Sequence, residues 1–191
     1  MNILTIIQRL QKDERNAAYT AQGLLPVFQI HTQARILLIG QAPGSKAQLS
    51  GIPFHDLSGD RLRHWLGVSE EIFYGEKMAI MPMDFYYPGK GKTGDLPPRP
   101  FIAEEYHPTL LRLMPHIEMT LLIGRYAIAY YLQGRMARNL TETVRQYQTY
   151  LPDYFPLVHP SPLNMRWFKH NPWFEADVVP QLQARIISLM R

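Results

Sequence analysis

A chain of 191 residues, 46% hydrophobic and 19% charged, is long enough for one domain with a sizeable core. It contains no cysteine, which excludes disulfides, thiolate zinc sites and cysteine-ligated iron–sulfur clusters. Twenty Lys and Arg against sixteen Asp and Glu give +4 and a pI near 9.3, an excess that permits an anionic partner without demanding one.

No apolar run reaches the roughly eighteen residues of a membrane span, so no membrane association is expected. The first residues lack a basic stretch and a small-residue cleavage site, so no signal peptide is expected and the cytoplasm is the default compartment. Residues 2–22 place Ile3, Ile6, Ile7 and Leu10 at helical spacing, which predicts an amphipathic first helix packed on the domain. Residues 35–40 read as a short buried strand that runs into Gly40-Gln-Ala-Pro-Gly44. The segment after Gly44 reads as loop through Leu57. Ser58 then offers a cap for a helix with Leu62, Trp65 and Leu66 on one face.

Residues 78–83 form a second apolar strand, followed by a long breaker-rich loop over 84–99. A helix over 104–114, a third strand over 119–123 and a helix from Gly124 to Gly134 follow. Residues 140–151 are helical and 154–158 give the fourth strand, ending in His159-Pro-Ser-Pro-Leu-Asn164. The last helix is capped by Asn171, with Pro172 at its first position and Val179, Leu182, Ile186 and Leu189 on its apolar face. Four strands alternating with helices predict an α/β fold, a three-layer α/β/α sandwich on a central four-stranded parallel sheet, with residues 1–191 as a single domain. Loops at the carboxyl ends of such strands are where ligands bind.

Several residues invite chemistry. Gln41, Pro43 and Gly44 follow a strand; His159 precedes a proline after another. Asp56 reads first as a helix cap. Arg166, Lys169 and His170, beside Trp167 and Phe168, form the best basic and aromatic cluster for nucleic acid. The seven histidines have no metal-ligand spacing, and Gly91-Lys-Thr93 lacks the full spacing of a phosphate loop.

Four motifs in order carry a resemblance to the uracil-DNA glycosylase superfamily. Gly40-Gln-Ala-Pro-Gly44 is similar to its first motif and His159-Pro-Ser-Pro to its second. Gly51-Ile-Pro-Phe54 with Ser58-Gly59-Asp60-x-Leu62, and Leu122-Ile-Gly124 with Ala127, resemble intervening stretches of the bacterial and archaeal iron–sulfur-type and related families. The similarity extends over about residues 35–173.

The resemblance implies a DNA partner, a base flipped from the stack and hydrolysis of its bond to the sugar, by a monomer without metal or cofactor. Uracil is the default base. It implies that His159 donates to the departing base and Phe54 stacks on it, with Gln41 and the amides of Gln41 and Ala42 on the base or water side. Leu163, Asn164, Met165 and Arg166 would belong to the loop that enters the duplex, and Ser161 would meet a phosphate. Lys169 joins them as a DNA contact. Three positions depart from the family. Ala42 stands where the water-activating aspartate is usual, Gln41 where the iron–sulfur family has Glu, and Met81-Pro-Met-Asp84 where an Asn reads uracil. Asp56 becomes the nearest candidate acid and Asp84 a candidate base contact. A DNA-binding member without catalysis and a hydrolase of a small nucleoside are the alternatives.

Overall fold

A computed structural model describes residues 2–191. The chain opens with α1 (Ile3–Lys12), capped by the Asn2 side chain, which accepts from the Thr5 amide at 2.9 Å. The expected helix over 2–22 is interrupted. Asp13 is extended, and a 3-10 turn leads into the short α2 (Ala17–Thr20). The break lets the Asn16 amide turn inward, where it donates to the Leu10 carbonyl at 2.8 Å.

β1 (Ile36–Ile39) is buried along its whole length, as a strand covered on both faces must be. α3 (Ser45–Ser50) occupies part of the stretch expected to be loop; polar and small residues conceal its helical period. α4 (Leu57–Leu66) and α5 (Glu70–Phe73) precede β2 (Met78–Ile80). β2 is shorter than expected because Pro82 has no amide to offer, yet the Met81 and Met83 amides still bond to the Leu38 and Gly40 carbonyls. The expected unstructured loop over 84–99 contains a hairpin, β3 (Lys90–Gly91) and β4 (Gly94–Asp95).

α6 (Pro100–Leu111), β5 (Met119–Ile123) and α7 (Arg125–Leu132) follow, then α8 (Leu140–Arg145) with a 3-10 turn over Tyr147–Tyr150, and β6 (Tyr154–Leu157). After β6 come a 3-10 turn (Pro162–Asn164), α9 (Met165–His170), a π-helical turn (Phe174–Val178) and α10 (Val179–Met190). The backbone stays helical from Trp173 through the π-helical turn into α10, so the last helix runs on from its expected start at Asn171 and Pro172, and Pro180, which has no amide to give the preceding turn, follows directly on the π-helical turn.

The strands pair in the order β2-β1-β5-β6, all parallel, with helices on both sides. β1 and β6 are therefore not neighbours. Pro156 is tolerated because β6 is an edge strand. The other edge, β2, is closed by Gln29, which exchanges two backbone hydrogen bonds of 2.8 Å with Ile80. No helix among the described residues is long and apolar enough to cross a membrane.

Two buried devices hold the ends of the strands. Asp84, fully buried, takes the Arg99 guanidinium at 2.8 Å on each oxygen, together with the Tyr86 and Arg99 amides at 3.0 Å. Arg99 reaches on to the Arg15 carbonyl and to Asn16 Oδ1, so one ion pair ties the N-terminal segment to the end of β2. His107, 1% exposed, lies behind Pro82. The Pro82 carbonyl can only accept, so His107 Nε2 carries the proton (3.0 Å) and Nδ1 accepts from the Tyr131 hydroxyl (2.7 Å).

The connection into α4 brings two stretches of backbone into close approach. Phe54 has φ +55, a left-handed conformation rare for an aromatic residue. A Cβ on Gly59 would lie 1.7 Å from the Phe54 carbonyl oxygen and 2.7 Å from its carbon. Only glycine fits there. Gly59→Ala should therefore lower stability by about 3 kcal/mol in chemical denaturation, because backbone and not a side-chain tip blocks the methyl.

Burial pushes the His107 pKa down to about 4 from 6.5, with the Pro82 carbonyl opposing. Between those values the unfolded chain binds a proton that the native one refuses, so stability falls as pH drops from 6.5 toward 4, by at most roughly 3 kcal/mol. Denaturation series at pH 7 and pH 4.5 should show this loss in the wild type and a flatter limb in His107→Gln.

Candidate functional site

The loops after β1, β5 and β6 open on a cleft of about 440 Å³ at the carboxyl end of the sheet. This is the switch point of the topology: the chain leaves β1 toward β2 on one side and returns to β5 on the other. β5 separates the two motif loops, and its own loop, beginning with Gly124, lines the same cleft. Gly124 has φ +82, and a Cβ there would sit 3.4 Å from the His159 Cβ. That distance is ordinary van der Waals contact, so the positive φ, and not the space, is what calls for glycine here.

His159 is half-buried and held by its own loop. Its Nδ1 accepts from the Ser161 amide at 3.1 Å, and the Asn164 side chain donates to its carbonyl at 2.8 Å. An accepting Nδ1 places the proton of the neutral ring on Nε2. Burial holds the His159 pKa below its ordinary value, against the upward pull of Asp56 and Asp95. The imidazole is thus a neutral single-proton donor.

Phe54 lies on the other side. A Cβ on Gly40 would come within 3.1 Å of its ring tip, so the ring packs on the bare backbone at the end of β1. Phe73 supports it edge-on at 6.4 Å, and the Tyr74 hydroxyl donates to the Pro53 carbonyl at 2.9 Å. Gln41 and Ala42 line the cleft beside it. The Gln41 side-chain amide, however, donates to the Leu96 carbonyl at 2.9 Å and so pins the β3–β4 hairpin over the cleft.

Of the other residues singled out in the sequence, Asp56, Ser161, Leu163 and Asn164 line the same cleft. Asp56, not Ser58, caps α4: its Oδ1 accepts from the Ser58 and Gly59 amides at 2.9 and 3.0 Å. Asp84 is not in the cleft. Its expected contact with a base is precluded by complete burial and by the two amides and guanidinium already bound to its oxygens. Met165 and Arg166 belong to α9 rather than to the tip of the loop, and neither they nor Lys169 line the cleft; all three are exposed beside it. Leu163, 81% exposed, is the tip. Ser161 Oγ accepts from the Leu163 amide at 3.2 Å, which leaves its hydroxyl proton free.

Two residues escaped the sequence reading. Arg61 on α4 donates to the Pro160 and Ser161 carbonyls at 3.2 and 3.4 Å and lies over the Phe168 ring, bracing the His159 loop. Its place in a helix, facing a loop 100 residues later, gave no local signal. Asp95 reaches the cleft from β4, its Oδ1 3.3 Å from the Tyr87 hydroxyl. Among the described residues no three His, Asp or Glu side chains cluster as a metal-binding group.

The structure is similar to the solution NMR structure of a Methanosarcina acetivorans protein named provisionally as a uracil DNA glycosylase. The likeness has a TM-score of 0.52 at 14% identity and covers 87% of this chain and 99% of that one. At that identity the likeness is one of fold. The family model of the uracil DNA glycosylase superfamily matches residues 27–183, which span all six strands and every residue lining the cleft. The chain belongs to the uracil DNA glycosylase superfamily.

Proposed function

We propose that the protein is a monofunctional DNA glycosylase, acting as a monomer on a base flipped out of DNA, with uracil the default substrate. The observation that carries this reading is the convergence of a neutral Nε2–H donor, His159, and an aromatic platform, Phe54, on one cleft beside an exposed apolar tip, Leu163. Scission of the C1′–N bond leaves a cation-like sugar and an anionic base. A fixed neutral donor aimed at a base oxygen stabilises the second without having to lose a proton itself. Phe54 holds the ring, and Leu163 is placed to fill the gap in the stack. The Ser161 hydroxyl and the exposed Arg166 and Lys169 suit backbone phosphates.

Ala42 supports a second reading. The first-motif turn has no carboxylate, as a DNA-binding member that recognises a base without excising it would have.

Single-turnover cleavage of duplexes and single strands carrying uracil, hypoxanthine, xanthine or alkylated bases separates the two. His159→Ala should slow release by about a hundredfold or more and leave DNA affinity within a few-fold. A wild-type protein that binds such duplexes tightly and releases no base would establish the binding module instead. Leu163→Ala should weaken cleavage of duplex by about tenfold while sparing single strands, since only a duplex must be unstacked. For Arg61→Gln the expectation is slower release in the same single-turnover assay, because the residue braces the loop that carries His159, Ser161 and Leu163.

A further inference from the structure

The glycosylase reading leaves one role without a residue: a carboxylate facing the sugar and the attacking water. Among the residues lining the cleft, Asp56 and Asp95 are the carboxylates. They are held in different ways. Asp56 Oδ1 accepts two helix amides, and its other oxygen lies 3.3 Å from where a Gly44 Cβ would be. That is the geometry of a cap. Asp95 makes no helix contact. It stands at the end of a two-residue strand, opposite Lys90 in the hairpin register, and keeps one oxygen clear of the Tyr87 hydroxyl.

The position of Asp95 is nevertheless built. On one side its carboxylate meets the Tyr87 hydroxyl; Tyr87 is itself anchored through its backbone amide to the buried Gln48 side chain at 2.8 Å. On the other side the next residue, Leu96, gives its carbonyl to Gln41 and its amide to the Gly89 carbonyl at 2.9 Å.

We propose that Asp95 is the catalytic carboxylate of this site, delivered by the β3–β4 hairpin, and that Asp56 serves as a helix cap. The inference rests on the glycosylase reading. In the step it implies, the C1′–N bond breaks with its electron pair going to the base, whose oxygen is held by His159 Nε2–H. A water oxygen bonds to C1′. The proton lost by that water passes to the Asp95 carboxylate and then to solvent, and the base anion takes one proton from solvent. One water is consumed, and the products are the free base and an abasic sugar. Before the proton arrives, the ionised Asp95 opposes the positive charge growing on the sugar. Both carboxylates pull the His159 pKa upward against its burial.

The test compares Asp95→Asn, Asp56→Asn and Tyr87→Phe in the full chain. Asn keeps the capping oxygen, so Asp56→Asn should stay within about fivefold of wild type in single-turnover cleavage, while Asp95→Asn falls by about a hundredfold or more. Tyr87→Phe should show a smaller loss in the same direction, and duplex affinity should not fall in any of the three. The readout that needs no activity is the His159 ring titration followed by NMR: it should move to lower pH in Asp95→Asn. Cleavage by Asp95→Asn within threefold of an active wild type, equal losses in the two Asn variants, or an unmoved His159 titration would overturn the proposal. A wild type that releases no base from any substrate removes the glycosylase reading and this role together; an active wild type with an undiminished Asp95→Asn removes the role alone.

Discussion

The contact on which the site depends is that between the Phe54 carbonyl and the backbone of Gly59. To bring them together the chain holds Phe54 at positive φ, a strain of about 1–3 kcal/mol that the surrounding packing must outweigh. Three consequences follow. The Phe54 ring is turned onto Gly40, so an aromatic face borders the end of β1. Asp56 arrives at the start of α4 in an extended conformation, with its carboxylate on the first amides of that helix. And α4 begins so close to the cleft that Arg61, on its second turn, reaches the carbonyls of the His159 loop. Stacking platform, cap and brace are set by one backbone approach, which is why two glycines flank the aromatic residue.

The histidine side of the cleft is organised by hydrogen bonds rather than by strain. A free imidazole chooses between two tautomers; here the Ser161 amide makes the choice by donating to Nδ1. Ser161 in turn is held by its role at the head of the 3-10 turn, and that turn points Leu163 outward. The group that would meet the base and the group that would meet the gap in the helix are therefore parts of one short hydrogen-bonded unit.

The buried strands were legible because continuous apolar runs of four or five residues between turn signals have few other readings: β5 matches its expected span, and β1 and β6 differ by a residue or two at their ends. The motif loops were legible because Gly, Pro and His in a fixed order after a strand are rare combinations. What was hidden shares a different physics. The β3–β4 hairpin has two residues per strand and no apolar alternation, so periodicity has nothing to act on. The first helix looked continuous because its break comes from Asp13 capping and an inward Asn16, not from Gly or Pro. Asp84 looked available because its partner, Arg99, lies across the whole loop, and an ion pair at that separation leaves no trace in local sequence. Read alone, both carboxylates of the loop over 84–99 are equivalent; only the fold shows that one is enclosed by a guanidinium and the other faces the cleft.

That division also accounts for Gln41. A glutamate at this position could only accept hydrogen bonds, and it would set its carboxylate against the Leu96 carbonyl, two acceptors face to face. The amide supplies the donor that closes the hairpin over the cleft. A neutral side chain at 41 thus suits the hairpin that carries Asp95, and the turn after β1 is left without a carboxylate of its own. On the glycosylase reading, with Asp95 in the role proposed for it, the negative charge of the site comes from a hairpin that the end of β1 holds in place.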